Sequence, residues 1–320
     1  MSKSPNEKRV IWLQRTATIF DVSETEAEAL LQTERMQSAR VNPLRGNPAM
    51  SEPELNYFVG SQLVPYAWMP YCYKLPAGSL QTVRDSRLVA EGKVFIQNAA
   101  SWLPVLALDP QPGEAILDVC AAPGGKASHI AAITNNQAVL TINDNSRARL
   151  AKMQANFTRL GVTPSEITLF DATKLAYKLA GRQFDKILLD APCSGEGMMH
   201  YDRDKDFATW SVASIKRLQQ LQKRLLTQAW QLLKPGGKLV YSTCTMAPEE
   251  NEAVVDYLLR THPEATIDPL TLDLPNKVPV VYEWNKRQYS PALRGALRLK
   301  PSPHIEAFFV CKLTKNTTGY

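Results

Sequence analysis

The sequence lacks the features that would place the chain in a membrane or outside the cell. None of its apolar runs approaches the ~20 residues that a membrane-spanning helix needs, and the polar N-terminus leads into no apolar signal core. The five cysteines are an odd number, and their spacing fits neither paired disulfides nor a zinc site. We therefore expect reduced thiols, no bound metal, no membrane partner and a cytoplasmic location.

Positive charge is in modest excess over negative charge. The chain carries 37 Lys and Arg against 31 Asp and Glu, a net charge of +6, which favours a polyanionic partner although many basic proteins bind none. Two segments concentrate the positive charge, with Lys216, Arg217, Lys223, Arg224 and Lys234 in the first and Lys286, Arg287, Arg294, Arg298 and Lys300 in the second. Such runs are typical of solvated surfaces and of nucleic-acid interfaces alike, and the sequence leaves both open.

The composition predicts two domains, over residues 1–100 and 101–320. The 320 residues, 44% of them hydrophobic, suffice for one large domain and a smaller one. In the smaller, Ser23 to Glu26 fits a capping box at the start of a helix. An aromatic-rich segment from Tyr57 to Tyr73 indicates either the core of a short domain or a surface that stacks on unpaired bases.

From about residue 113 the pattern alternates between strands and helices. The predicted strands are 115–119, 138–142, 167–170, 186–189, 238–241 and 307–311, and the clearest helices are 147–160 and 249–260. The helix ahead of the fifth strand is expected to stop at Lys-Pro-Gly-Gly, residues 234–237. This alternation indicates a doubly wound α/β sheet with right-handed crossovers.

Two cysteines stand where predicted buried strands end. Cys193 follows the strand 186–189, and Cys244 follows the strand 238–241. Ligands of parallel sheets bind at the carboxyl ends of the strands. A thiolate placed there can add to an electron-poor ring carbon, and a second thiol can help to resolve the adduct. The alternative is that both are small buried residues, as most free cysteines are.

The turn after the first predicted strand is rich in small residues but has no phosphate fingerprint. Residues 118–126 contain no G-x-G-x-x-G, and Ala127 stands where a P-loop has Ser or Thr. Asp144, Asp171 and Asp190 end the next three strands, where they can bind a ribose, an adenine edge and a cationic group. Each could equally be a cap or turn residue. Together they favour S-adenosylmethionine, a nucleoside cofactor without phosphates.

Three motifs of the second domain resemble the signatures of the Sun/Fmu-type (Nop/Sun) family of RNA cytosine-5 methyltransferases. They are Asp-x-Cys-Ala-Ala-Pro-Gly-Gly-Lys at 118–126, Asp-Ala-Pro-Cys-Ser-Gly-Glu-Gly-Met at 190–198 and Ser-Thr-Cys-Thr-x-x-Pro-Glu-Glu-Asn-Glu at 242–252. The similarity covers about residues 90–312. Asn98 replaces a usual acid, Ala127 a usual Thr, and the tail lacks a Gly before Phe308 and Phe309. None of these departures touches either cysteine.

The resemblance implies a role for each matching residue. Cys244 would be the nucleophile and Cys193 would assist release, although DNA cytosine-5 methyltransferases use the Pro-Cys thiol as nucleophile. Asp190 would contact both cofactor and base, and Lys126 would orient the cytosine. The implied cofactor site comprises Cys120, Ala121, Ala122, Pro123, Gly124, Gly125, Lys126, Asp144, Arg149, Asp171 and Asp190.

These observations predict an S-adenosylmethionine-dependent enzyme that makes 5-methylcytosine in ribosomal or transfer RNA through a covalent cysteine–cytosine adduct. The resemblance implies a methyltransferase-type Rossmann sheet, mostly parallel with an antiparallel last strand, behind a small N-terminal α+β RNA-binding module. We expect a monomer. One alternative is a DNA cytosine-5 methyltransferase, for whose large target-recognition domain the spacing between motifs leaves no room. Another is a non-catalytic RNA-binding or assembly protein. A nicotinamide-dependent dehydrogenase is disfavoured because the phosphate fingerprint is absent.

Overall fold

The computed structural model describes residues 3–317; Met1, Ser2 and residues 318–320, which the predicted domains include, lie outside the described part. Its α-helices are α1 (Pro5–Phe20), α2 (Glu24–Gln32), α3 (Pro48–Val59), α4 (Leu80–Arg84), α5 (Arg87–Ala90), α6 (Leu103–Leu108), α7 (Gly125–Ile133), α8 (Arg147–Leu160), α9 (Leu175–Lys178), α10 (Val212–Leu232) and α11 (Glu252–Thr261). Among the described residues, no helix is both long and apolar enough to span a membrane.

A small antiparallel sheet forms between residues 38 and 97. Its strands are β1 (Ser38–Val41), β2 (Val64–Tyr66), β3 (Met69–Lys74) and β4 (Val94–Gln97), in the order β2-β3-β1-β4. Ala39, Val41, Leu55 and Tyr73 are buried in a core of its own with α3 and α5. The N-terminal part is thus an α+β unit; its RNA-binding role stays a prediction.

The large sheet provides the scaffold for the predicted site. Its strands are β5 (Ala115–Asp118), β6 (Val139–Asn143), β7 (Glu166–Thr168), β8 (Phe184–Asp190), β9 (Leu233–Thr243), β10 (Ala265–Asp268), β11 (Lys277–Val278), β14 (Leu297–Leu299) and β15 (Phe308–Lys315), with the hairpin strands β12 (Glu283–Trp284) and β13 (Arg287–Gln288) forming a separate pair. The order is β11-β14-β15-β9-β8-β5-β6-β7, and β10 pairs with β15. Strands β5 to β9 pair in parallel, and β15 runs antiparallel to β9.

Helices cover both faces of this sheet, as its strand composition requires. Strands buried on both faces read as continuous apolar runs such as Ile187-Leu188-Leu189. Alternate residues point to opposite faces, so Leu188 packs with α6, α7 and α8, whereas Ile187 and Leu189 pack with α10 and α11. The predicted doubly wound fold with an antiparallel last strand is confirmed.

The helix 147–160 is confirmed residue for residue as α8, and Gly161 ends it with a φ of 74°. The predicted stop at residues 234–237 is only partly right. Helix α10 does end at Leu232, but β9 begins at once at Leu233 and includes the Pro-Gly-Gly segment. The strands between 265 and 299 were not predicted, because each has only two to four residues and gives too little alternation to detect.

The first two helices pack on the second domain rather than on the small sheet. Ser4 and Ser23 begin α1 and α2 with complete capping boxes, as predicted for Ser23. Trp12 and Leu31 are buried with Phe207 and other residues of the loops that follow the two predicted cysteines. The division at residue 100 stays a prediction, and this packing shows that residues 5–32 support the larger domain.

The aromatic segment of the N-terminal part divides into core and surface. Tyr66 and Tyr73 are buried, and Tyr66 packs edge-on against Trp102 of the second domain, with 5.3 Å between the ring centroids. Tyr57 is 83% exposed and Tyr71 is 51% exposed. The core explanation therefore holds for Tyr66 and Tyr73, and base stacking stays a prediction for the two exposed tyrosines.

Candidate active site

The predicted site residues lie together at one edge of the large sheet. Asp118 is the last residue of β5, Asp190 is the last residue of β8, and Cys244 directly follows β9. Asp144 follows β6, and Asp171 lies three residues beyond β7. Because these strands are parallel, their carboxyl ends meet at one edge. The topology thus gathers side chains that are far apart in the sequence.

The two thiols of Cys193 and Cys244 are in contact. Their Sγ atoms are 3.3 Å apart, and both residues are partly accessible. The hydrogen bond with Cys244 and burial raise the pKa of Cys193 well above its usual value. Cys193 therefore keeps its proton and can donate it to the sulfur of Cys244. The contact therefore places a hydrogen-bond donor beside the sulfur of Cys244.

Lys126 and Ser242 hold the carboxylate of Asp190 from two sides. Lys126 Nζ is 2.6 Å from Asp190 Oδ2, and Ser242 Oγ donates to Asp190 Oδ1 at 2.7 Å. Burial opposes the charge of Lys126, but Asp190 outweighs it and the pKa of the ammonium is raised. The same ammonium lies 5.8 Å from the centroid of the Phe308 ring. Asp190 is therefore fixed in orientation, and a firmly protonated cation stands beside it.

Asp118 is a buried carboxyl group without hydrogen bonds. The residue is fully buried, and neither of its oxygens has a hydrogen-bond partner among the described residues. Burial and the neighbouring charge of Asp190 raise its pKa to about 7. Such a group stores unfavourable free energy whenever it is ionised.

The turn between β5 and α7 packs closely against α8. It contains Cys120, Ala121, Ala122, Pro123, Gly124, Gly125 and Lys126. Gly124 has a φ of 97°, and a Cβ atom there would lie 2.7 Å from Met153 Cγ. Any other residue would be strained and would collide with α8. Burial raises the pKa of Cys120, so its thiol stays protonated and serves as a small lining group.

Asp144 is buried and already paired. Its Oδ1 atom accepts from the N–H of Ser146 at 2.9 Å and lies 2.9 Å from Arg149 Nη2, while Oδ2 accepts from the N–H of Ala122 at 3.3 Å. Arg149 therefore neutralises Asp144 and fixes its position. A carboxylate has about four acceptor positions, so Asp144 can still bind a ribose diol.

Asp171 caps the short helical turn at residues 172–174, which is the alternative interpretation given in the sequence analysis. It is exposed, and its Oδ1 atom accepts from the N–H of Thr173 at 2.9 Å and from the Thr173 hydroxyl at 2.8 Å. These hydrogen bonds lower its pKa. The residue still lies at the edge where a ligand of β5 and β6 would extend, so its contact with an adenine stays a prediction.

Buried carboxyl groups connect the two cysteine loops, and the sequence analysis did not identify them. Glu250 Oε2 accepts from the N–H of Ser194 at 3.0 Å and from Gln222 Nε2 at 2.7 Å. The hydroxyls of Ser194 and Thr245 are 2.7 Å apart, and Thr245 donates to Glu196 Oε2 at 3.0 Å. Burial raises the pKa of Glu250 to about 7. All of these residues except Gln222 lie inside the motifs at 190–198 and 242–252. Their place in those motifs was the only feature of the sequence that could have identified them.

Arg35 and Gly197 fix the loop after Cys193. Arg35 donates to the carbonyls of Gly197 and Met199, the second at 2.9 Å. The N–H of Gly197 donates to the carbonyl of Cys244 at 2.9 Å. A Cβ atom at Gly197 would collide with the backbone of Ala307. The loop therefore crosses the end of β9 so closely that only glycine fits.

The cations of the two basic segments differ in exposure, because some face solvent and others are paired or buried. Lys216, Arg217 and Arg224 are exposed on α10, and Lys286 and Arg287 are exposed at the hairpin of β12 and β13. Lys234 instead pairs with Asp185 at 2.6 Å. Arg298 is wholly buried, where it forms a bidentate ion pair with Glu252 and donates to the carbonyl of Met246 at 2.8 Å. Arg298 therefore supports the Cys244 loop and cannot contact RNA.

Comparison with known proteins identifies relatives of this chain. The model of the family described as 16S rRNA methyltransferase RsmB/F matches residues 105–314. A tRNA (cytosine(49)-C(5))-methyltransferase of Pyrococcus abyssi is 38% identical over 285 residues, which cover 87% of this chain and 88% of that protein. The ribosomal RNA small subunit methyltransferase F of Aeromonas salmonicida is 42% identical over 231 residues, 70% of this chain but only 46% of its own length.

Solved structures agree with these sequence matches. The crystal structure of a methyltransferase homolog protein from Pyrococcus horikoshii superposes with a TM-score of 0.76 at 30% identity, over 95% of this chain and 98% of that one. The structure of NSun6 from Pyrococcus horikoshii superposes with a TM-score of 0.80 at 22% identity, over 96% and 98% of the two chains. At that lower identity the second match shows the shared fold alone.

The raised pKa of Asp118 predicts how stability depends on pH. The folded protein binds this proton up to about pH 7, whereas the unfolded chain releases it near pH 4. Asp118 should therefore contribute a loss of stability to the wild type as pH rises from 4 to 8. Asp118→Asn removes that loss, so urea denaturation should show its stability rising relative to wild type by about 2–4 kcal/mol over the same interval.

Asp185→Asn is the control, because the pKa of Asp185 is shifted in the opposite direction to that of Asp118. Burial opposes ionisation of Asp185, but its hydrogen bonds to Lys234 and to the N–H of Ala115 prevail and lower its pKa. Its stabilisation is present above about pH 4 and is lost as pH falls. Asp185→Asn should accordingly be destabilised at neutral pH, and the difference from wild type should shrink towards pH 3. A pH-independent effect of Asp118→Asn would contradict our account of the buried carboxyl.

Proposed function

The chain belongs to the RsmB/F family and is an RNA (cytosine-5)-methyltransferase, and from this premise we propose that Cys244 is its nucleophile. The observation that carries the proposal is the contact between the two thiols, in which Cys193 is the protonated partner. Cys244 is then the sulfur that receives this hydrogen bond. Ribosomal and transfer RNA are both open as substrates, because the relatives include enzymes of both kinds.

S-adenosylmethionine is the methyl donor that fits the residues of the sheet edge. The carboxyl groups of Asp118, Asp144 and Asp190 meet at this edge, where their oxygens can accept hydrogen bonds from the ribose and the ammonium of the cofactor. The turn at Gly124 packs closely against α8 and offers no phosphate-binding pattern. When bound, the cofactor supplies an electrophilic methyl group at the carbon-5 position of the base.

Cys244 would start the reaction by making carbon 5 nucleophilic. Its thiolate adds to carbon 6 of the cytosine, so an S–C bond forms and the electrons of the 5,6 double bond move towards carbon 5 and the ring. Asp190 accepts hydrogen bonds from the exocyclic amine and from the ring nitrogen, which takes a proton from solvent as negative charge develops on the ring. Lys126 balances the charge of Asp190. Ser242 holds Asp190 in the orientation that this contact needs.

Cys193 would act after the methyl group is in place. The proton on carbon 5 passes to a water molecule, because Cys193, the other candidate base, already holds its own proton. The electrons of that C–H bond restore the 5,6 double bond, and the S–C bond to Cys244 breaks. The hydrogen bond from Cys193 to the departing sulfur lowers the free energy of this step. The target base must have left its stack to reach either thiol.

Asp144→Ala tests the cofactor site. Because Asp144 is the acid that would hold the ribose, its removal should weaken binding of S-adenosylmethionine or its demethylated product, by roughly 10-fold or more for a charged hydrogen bond. Isothermal titration calorimetry measures this, and Asp109→Ala, at a turn away from the strand ends that bear the site, is the matched control. Preference of the wild type for NAD would contradict the assignment.

Cys244→Ala and Cys193→Ala separate the roles of the two thiols. Cys244→Ala cannot form the S–C bond, so it should show neither methylation nor a protein–RNA adduct. Cys193→Ala should still attack and accept the methyl group but release slowly. It should accumulate a cofactor-dependent adduct that appears as a shifted band on a denaturing gel with ribosomal or transfer RNA.

The double variant provides the control for this experiment. It should lose the shifted band, because without Cys244 no bond to the RNA forms and there is no adduct whose release Cys193 could assist. Cys311→Ala is a further control, since that thiol is buried in the sheet away from the site. An adduct in Cys244→Ala with none in Cys193→Ala would indicate DNA-type chemistry on this scaffold. Retained activity in both single variants would remove covalent catalysis altogether.

A further inference from the structure

Helix α10 carries positive charge that nothing on the helix balances. Its 21 residues include Lys216, Arg217, Lys223 and Arg224 and no Asp or Glu. Solvated helices ordinarily mix both signs, and Glu–Lys pairs four residues apart stabilise them. In the described part of the chain, none of these four cations takes part in an ion pair. The charge is therefore available to a partner.

Two adjoining depressions lie along α10, and the first begins at the active site. The first, of about 490 Å³, is lined by Cys193 and Ser194 on one side and by Arg217 and Arg224 of α10 on the other. The second shares Arg224 with the first and adds Lys223. The ammonium of Lys223 lies 5.2 Å from the centroid of the Tyr257 ring. A continuous basic surface thus starts beside one of the two thiols.

A third depression extends this surface to the hairpin of β12 and β13. It shares Gln220 with the second depression and is lined by Lys216, Arg287 and Trp284. At the tip of the hairpin, Asn285 and Lys286 have φ angles of 51° and 64°, the backbone of a tight two-residue turn. We name the series of six cations along the three depressions the basic track: Arg217, Arg224, Lys223, Lys216, Arg287 and Arg15.

The basic track has little negative charge of its own. Among the described residues that line it, Glu249 is the one carboxylate, and its Oε2 atom is 2.8 Å from Arg15 Nη2. Asp256 lies buried below the hairpin and pairs with Arg287 at 3.1 Å and Arg260 at 3.0 Å. Each acid is therefore already paired, and a net positive field remains above the surface.

We propose that the basic track binds the sugar–phosphate backbone of the single-stranded RNA segment that adjoins the target cytosine. The proposal rests on the proposed function, because a base held at Cys244 must continue into a neighbouring strand. The track begins at the paired thiol Cys193, and it carries cations at seven-residue intervals from Arg217 to Arg224, roughly 10 Å along the helix. That spacing reaches beyond one nucleotide, so several phosphates can be neutralised at once.

Replacing one cation from each depression tests the proposal. Lys216→Gln, Arg217→Gln and Lys223→Gln are combined in the full chain, since all three are at least partly exposed. The control combines Lys152→Gln, Lys178→Gln and Lys277→Gln, which remove the same number of charges from exposed positions outside both the basic track and the N-terminal module. Fluorescence anisotropy measures binding of a 12-nucleotide single-stranded oligoribonucleotide, uridines around one cytosine, and of the duplex it forms with its complement, from 50 to 300 mM salt.

The single strand should bind the control variant as it binds the wild type. The track variant should bind it at least 10-fold more weakly at low salt, and the slope of log affinity against log salt should fall by about 2, near 0.7 for each lost phosphate contact. Equal binding by the two triple variants, or a loss confined to the duplex, would overturn the proposal. Methylation of unmodified ribosomal and transfer RNA by the wild type, measured in parallel, tests the proposed function by itself.

Discussion

The parallel pairing of β8 with β9 is the constraint on which the rest of the site depends. Its register places Asp190, the last residue of β8, opposite Ser242, the next-to-last residue of β9. The hydroxyl of Ser242 reaches Asp190, and the loops that follow bring Cys193 and Cys244 into contact at 3.3 Å. A slip of one residue would turn these side chains to the other face of the sheet.

Buried polar contacts then hold the two cysteine loops in this position. Glu250, Thr245 and Ser194 connect one loop to the other, and Arg298 binds Glu252 and the carbonyl of Met246 beneath them. Buried charges are expensive unless they are paired, so the loops have few alternative conformations with satisfied partners. The sulfur atoms can therefore stay close without a covalent bond, as a nucleophile and its hydrogen-bond donor must.

Sequence patterns predicted the parallel strands, their order along the chain and the residues at their ends. They succeeded because buried parallel strands are continuous apolar runs and their carboxyl ends share one edge. They could not predict the pairing of Arg298 with Glu252 or the contact of α1 with the Cys193 loop, since both join residues far apart in the sequence. Arg298 in particular looked like a surface cation, and only its partner reveals why it is buried.

The most direct test of the central claim is to locate the covalent bond. RNA in which 5-fluorocytidine replaces cytidine cannot lose a proton from carbon 5, so a sulfur–carbon bond formed in the reaction should persist. The wild-type protein is incubated with such ribosomal and transfer RNA and with S-adenosylmethionine, then digested and analysed by peptide mass spectrometry. Our account predicts a nucleotide attached to the peptide that contains Cys244. A nucleotide on the Cys193 peptide, or none on either, would contradict it.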